Sequence, residues 1–248
     1  MTIIAFAGPS LTAADRREFG SIVWKPPAEA GDLLRLDVDR STKLCLIDGY
    51  FDHRPAVRHK EILLLLSEGV RIFGASSIGA LRAAEMDGFG LVGVGAIYRA
   101  YARGTLVGDD EVALVHASAE WDWRVLSLPL VDVRATLCRA RRGSVIGAAE
   151  ARALLMAASA IHYIDRTWSL IVEGASLSAR KPSLESALKA WTVEQKRLDA
   201  RACLRVAISD TSVASERPQL VRTVFLDALA RECDVDLDGR TRRPSGEM

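Results

Sequence analysis

The stretch Val70-Arg71-Ile72-Phe73-Gly74-Ala75-Ser76-Ser77-Ile78-Gly79-Ala80-Leu81-Arg82-Ala83-Ala84-Glu85 decides how this 248-residue chain folds. Val70 to Gly74 is a short, mostly apolar run, the pattern of a buried strand. A loop of small residues follows, and Ser76 or Ser77 is placed to cap a helix running through Glu85. The same order recurs upstream. Leu44 to Ile47 reads as a strand turned by Asp48-Gly49, and His59 to Glu68 as a helix stopped by Gly69. Strand, short loop, helix, repeated, is the signature of βαβ units around a parallel sheet.

Working outward, Ile3 to Ala7 is another apolar run, ending at Gly8-Pro9-Ser10. Thr12 is placed to cap a helix over Ala13 to Phe19. Ile22-Val23-Trp24 reads as a strand stopped by Pro26-Pro27, and a short helix is expected between Pro27 and Leu33. Beyond Gly95 the character turns helical. Helices are expected over Ala96–Arg103, Glu111–Ala119, Val131–Arg141, Ala148–Ile161, Leu184–Trp191, Val193–Arg205 and Leu220–Arg231. The fold class is therefore α/β: a small parallel sheet flanked by helices in the N-terminal half, then a helical C-terminal half. The expected division is 1–125 for the α/β core, 126–237 for the helical region and 238–248 for a polar, disordered tail.

Composition sets outer limits. Hydrophobic residues are 49% and charged residues 26% of the chain, with a net charge of +1. That is the profile of a globular domain with no basic field to attract nucleic acid. The apolar runs are too short to cross a bilayer, and the start lacks a charged, cleavable leader. Neither nucleic acid nor membrane is expected as a partner, and the protein reads as cytoplasmic. Cys45, Cys138, Cys203 and Cys233 are scattered without a paired spacing, so they read as reduced structural thiols. No cofactor and no metal site is expected. There is no phosphate-binding loop, and the carboxylates of Asp109-Asp110-Glu111 lack matching His or Cys ligands.

In an open α/β sheet, sites form at the carboxyl ends of the strands. The loops to watch are therefore 8–10, 48–53 and 74–79. A serine at a tight strand-to-helix turn is exposed by the turn and sits beside free N–H groups that can stabilise an oxyanion. The run around Ser76 and Ser77 is similar to the nucleophile turn of Clp-type peptidases, with Ser77 as the nucleophile. The alternative is that one serine is simply an N-cap, the commoner use of such a residue on pattern alone. A nucleophilic serine needs a base. His59 and Lys60 open the helix after the neighbouring strand, and a serine–lysine dyad would need Lys60 desolvated. Asp110, His116, His53 and His162 are the other candidates. Gly8, Ser10, Asp48, Gly49, Ser76, Arg82 and Glu85 are expected to bind substrate, Arg82 meeting an anionic group or merely pairing with Glu85.

Taken in order, these segments resemble the TfuA-like family. They are Gly8-Pro9-Ser10-Leu11, Pro26-Pro27-Ala28 with Gly31-Asp32, Ile47-Asp48-Gly49-Tyr50-Phe51, His59-Lys60-Glu61-Ile62-Leu63, and Gly74 to Glu85. Phe89 to Gly95, Asp109-Asp110-Glu111-Val112-Ala113 and His116 close the set. The likeness covers roughly residues 3 to 140. Ile78 departs from the family pattern, which commonly has Met there. The resemblance implies an accessory role in YcaO-dependent peptide backbone thioamidation within natural-product biosynthesis. The implied reaction is hydrolysis of a thiocarboxylated ubiquitin-like sulfur carrier to release sulfide beside the YcaO protein and its precursor peptide. A non-catalytic adaptor joining the YcaO enzyme to its sulfur donor or peptide is the alternative. An unrelated small-molecule hydrolase or nucleotide-binding protein is a third reading.

Overall fold

The computed structural model describes residues 2–50, 54–177, 181–212 and 217–238. Phe51, His53 and all but the first residue of the expected tail lie outside the described residues. Five short strands form one parallel sheet: β1 (Ile3–Phe6), β2 (Val23–Lys25), β3 (Lys43–Leu46), β4 (Arg71–Gly74) and β5 (Val92–Gly93). Their spatial order is β2-β1-β3-β4-β5, every neighbouring pair parallel. The chain thus leaves β1 in one direction to reach β2 and returns past it to β3. That reversal places a topological switch point between β1 and β3, where ligand crevices open in such sheets.

Alternation along the strands gives the sheet two apolar faces. Ile4, Phe6, Leu44, Leu46 and Ile72 point to one side. There α2 (His59–Ser67) and α3 (Ile78–Met86) cover them with Ile62, Leu65, Ile78 and Ala83. Ala5, Ala7, Cys45, Ile47, Phe73 and Ala75 point to the other. That side is closed by α1 (Ala13–Glu18) at its margin and by α9 (Gln195–Ser209), a helix from the far end of the chain. Ala200, Cys203, Leu204 and Ala207 form its buried stripe, at the three-and-four spacing of a single helix face. Small residues on helix and sheet alike let the two backbones approach closely.

The intervening helices build a second core. They are α4 (Gly95–Ala102), α5 (Leu130–Arg142), α6 (Ala148–Ala160), α7 (Trp168–Gly174) and α8 (Lys181–Ala190). Leu130, Val133, Leu137, Leu154, Trp168, Ile171, Leu184 and Leu188 close the core among α5, α6, α7 and α8. α10 (Val224–Glu232) returns to the first layer, where Leu226 and Leu229 meet Leu34 and Leu64.

Three local expectations give way. Between Pro27 and Leu33 the chain forms turns, not a helix. Ala28 is held extended by a parallel bridge to Gly49, and the Glu61 carboxylate draws in the Gly31 and Leu33 N–H groups. The helix expected over Glu111–Ala119 does not form; the stretch is bounded by two 3₁₀ turns, Asp109–Glu111 and Ala119–Trp121. Arg134 holds the Glu111 carboxylate through two bonds of 2.9 and 2.6 Å, and the chain beyond pairs with 124–127 through His116 and Val125. The helix expected from Leu184 begins three residues earlier, at Lys181, with Pro182 in its first turn, where a proline is tolerated. Strand β5 and helix α7 were not foreseen.

The turn from β4 into α3 is packed without slack. A Cβ added at Gly79 would overlap the Leu46 carbonyl oxygen, so α3 approaches β3 backbone to backbone. We expect Gly79→Ala to cost about 1–3 kcal/mol through overpacking, read as a lowered urea midpoint.

Candidate active site

Three loops meet at the carboxyl edge of the sheet over the switch point. Asp48, at the end of β3, is 1% exposed and organises them. Its Oδ2 accepts the N–H groups of Gly8 (2.8 Å) and Ser10 (3.0 Å), and its Oδ1 accepts the Ser10 hydroxyl at 2.6 Å. Ser10 has thereby used its one proton. Its oxygen must accept the hydroxyl of Ser76, 2.7 Å away. A chain of donors thus runs Ser76 to Ser10 to Asp48, with all three side chains out of water.

That chain holds an unusual backbone. Ser76 has φ of 68°, a left-handed conformation that a side chain rarely adopts outside glycine. Strain of this kind persists where surrounding bonds over-determine it. The consequence is the direction of the next residue. Ser77 stands at the N-cap position of α3, yet its side chain makes no capping bond. Its Oγ lies instead 3.1 Å from the Nζ of Lys196, which is also 2.7 Å from the Val112 carbonyl oxygen.

Lys196 is the site residue that sequence reasoning missed. It lies in the first turn of α9 and is only 4% exposed. Loss of water pushes its ammonium below the usual lysine range, against Asp48 and Asp132, which favour the charged form. Asp132, on α5, accepts the Lys196 backbone N–H at 3.0 Å. Desolvation pushes the Asp132 carboxyl up to about 7, although that bond and the Lys196 charge pull it down. One signal for Lys196 was present in the sequence. It falls four residues before Ala200 and seven before Cys203, on the buried stripe of α9 where a solvated lysine does not belong.

The other expected residues fall elsewhere. His59 is half exposed, with Nε2 2.8 Å from Glu85 Oε2. The same oxygen takes Arg82 Nη1 at 2.7 Å, while Arg82 Nε donates to the Val57 carbonyl. Lys60 reaches the Val221 carbonyl at 3.2 Å. His59, Lys60 and Arg82 line an outer cleft with Phe225, along α2, α3 and α10. Asp110 faces the buried Arg166 guanidinium at 3.7 Å, and with Ser159, His162 and Tyr163 it borders a separate cleft of about 440 Å³. His116 stands nearer the switch point. Its ring centroid is 6.4 Å from that of Tyr50 and 5.3 Å from that of Trp123, whose indole comes close to Gly8. Gly49 bridges Ala28, and a Cβ there would press on Ile78. The structure thus brings together Gly8, Ser10, Asp48, Gly49, Ser76 and Ser77, and it joins them to Lys196 in place of His59 or Lys60.

α9 is clamped where it carries Lys196. Asp15 of α1 receives Arg197 Nε at 2.7 Å and Nη2 at 3.1 Å, and also pairs with Arg201. Burial alone would raise the Asp15 carboxyl, but the bonds from Arg197, Thr12 and Arg201 outweigh it and hold it well below the usual carboxylate range. Lys43 closes the other end of α9 by donating to the Ala207 carbonyl at 2.7 Å.

A doubly wound parallel α/β protein with a buried serine–lysine pair at its switch point is the class that fold and site define. The family model described as TfuA-like protein matches residues 48–167. Over that stretch the chain is TfuA-like, which is consistent with an accessory role beside a YcaO protein. The match includes Asp48, Ser76, Ser77, Val112 and Asp132, while Ser10 and Lys196 lie outside it. A search of curated proteins returned no match. Among the described residues, no helix is long and apolar enough to cross a membrane.

The Asp15 clamp gives a pH dependence of definite sign. A depressed carboxylate stabilises the fold above its unfolded value of 3.8, and that contribution is lost as pH falls toward the folded value. We expect Asp15→Asn to lose about 1–2 kcal/mol at pH 7. The gap from wild type should close as both are titrated into acid, as followed by urea unfolding at successive pH values.

Proposed function

We propose that the protein is an accessory hydrolase of YcaO-dependent peptide backbone thioamidation. It cleaves a thiocarboxylated sulfur-carrier protein and delivers sulfide beside the YcaO enzyme and its precursor peptide. The carrying observation is that Ser77 Oγ, at the N-terminus of α3, meets a buried amine at 3.1 Å and makes no capping bond. A serine serving only as a helix cap would spend its oxygen on the N–H groups of its own helix.

The reaction is acyl transfer. Ser77 Oγ attacks the thiocarboxylate carbon of the carrier terminus, the C–S bond breaks, and hydrosulfide leaves with the proton that Ser77 gave up. Water then cleaves the acyl-serine to the carboxylate and restores the hydroxyl. The first-turn N–H of Ile78 has no partner within its helix, which supports assigning it to the developing oxyanion. Gly8 and Gly49 keep the adjoining walls low, since a side chain at either would press on Pro27 or Ile78. Ser10 and Asp48 act on the backbone: they hold the strained Ser76 so that Ser77 faces inward.

The second reading, a non-catalytic adaptor, draws on the burial of Ser77, which is only 3% exposed. One experiment separates the two. With a thiocarboxylated carrier protein as substrate, wild type is expected to release sulfide and folded Ser77→Ala to lose at least about a hundredfold in rate. Equal sulfide release by both proteins, or by neither while a YcaO partner still binds, would sink the hydrolase reading.

A further inference from the structure

We infer that the outer cleft between α2, α3 and α10 docks a partner protein through an acidic segment that carries a bulky apolar side chain. The cleft shares no residue with the Ser77 site, so the inference stands apart from the hydrolytic reading.

One wall is basic. Arg58, His59 and Lys60 come from the start of α2, and Arg82 from the neighbouring α3. Cations at a helix N-terminus are opposed by the helix dipole, so the stability of α2 does not explain them. Glu85 faces this wall, and one of its oxygens serves both His59 and Arg82. Glu61, on the same helix, points inward and spends its oxygens on the N–H groups of Arg58, Gly31 and Leu33. Among the described residues Arg58 and Lys60 have no carboxylate partner, and the Lys60 ammonium donates to the Val221 carbonyl. Three fixed cations thus face one carboxylate, in a chain whose whole net charge is +1.

The other wall is apolar. Val224 and Phe225, in the first turn of α10, are 77% and 78% exposed. α10 does not need them for its own packing, because Leu226 and Leu229 already meet Leu34 and Leu64. A solvated aromatic ring beside a cleft has its burial still to gain. The space between the walls is about 290 Å³, room for a bulky side chain and not for a large cofactor.

Charge decides the occupant. A side chain seated on Phe225, flanked by carboxylates, would meet Arg58 and Lys60 with opposite sign. The chain's own residues 239–248 carry Arg240, Arg242 and Arg243 against Glu247, the same sign as the cleft. A second copy docked about a two-fold axis would set the cleft's cations against themselves. An acidic segment of another protein is the occupant that satisfies both walls.

The experiment titrates the full chain against a fluorescein-labelled peptide, Glu-Asp-Leu-Phe-Glu-Asp, followed by anisotropy. The control, Lys-Arg-Leu-Phe-Lys-Arg, has the same apolar content. Wild type should bind the acidic peptide saturably, at least about tenfold more tightly than the basic one, and more weakly as salt is raised. Lys60→Glu and Phe225→Ser, shown folded by circular dichroism, should each weaken that binding about tenfold or more. Ser77→Ala should bind as wild type does, whatever its effect on sulfide release. Absence of saturable binding, or equal binding of the two peptides, would overturn the inference without any variant. So would folded Lys60→Glu and Phe225→Ser proteins that bind like wild type, or loss of binding in Ser77→Ala, which would move the peptide to the sheet edge. Displacement of the peptide by a single-stranded oligonucleotide would overturn it in favour of nucleic acid. A dimer in sedimentation that Phe225→Ser dissolves would overturn it in favour of a second copy.

Discussion

The structure depends on one apolar contact: the stripe Ala200, Cys203, Leu204 and Ala207 of α9 against Ala5, Cys45, Ile47, Phe73 and Ala75 of the sheet. A parallel sheet needs both faces covered, because every strand carries apolar residues on both sides. α2 and α3 cover only one face. α1 is six residues long and leaves most of the other bare. The covering helix is therefore borrowed from about 120 residues downstream, and the chain must pass through the helices from α5 to α8 before it returns.

That return makes fold and site inseparable. α9 runs with its N-terminal turn at the carboxyl edge of the sheet, beside Ser77, and its far end at Lys43, the start of β3. Asp132 holds the α9 N-terminus from α5, and Asp15 clamps Arg197 and Arg201 from α1. The Lys196 stem is thus fixed from three directions. A buried lysine is costly in isolation. Here its amine donates to the Val112 carbonyl and reaches the Ser77 hydroxyl, so the cost is offset by hydrogen bonds within the fold.

The β1/β3 switch point contributes the complementary half. Asp48 converts two loops into one rigid surface by taking three hydrogen bonds, and it transmits that rigidity through Ser10 to the left-handed Ser76. Electrostatics and backbone strain work in the same direction: the carboxylate fixes the turn, and the turn aims Ser77. The matched family stretch spans Asp48, Ser76, Ser77 and Asp132 but ends before α9, so the family likeness and the complete site do not coincide along the chain.

By itself the sequence determined the local elements whose residues carry their own signal. Apolar runs marked β1, β3 and β4, and Gly69 and the serine turn bounded α2 and α3. The loops holding Ser10, Asp48, Ser76 and Ser77 followed, because parallel strands put their sites at carboxyl ends. β5 escaped because two residues between glycines make no pattern. The segment after Glu111 misled because its helical composition yields to Arg134 and to pairing with residues 124–127. Only the tertiary structure decided that Lys196, one of four cationic residues between Lys196 and Arg205, turns inward. Which face of a helix is buried is set by the partner that covers it, and here that partner is a sheet formed from the first 93 residues of the chain.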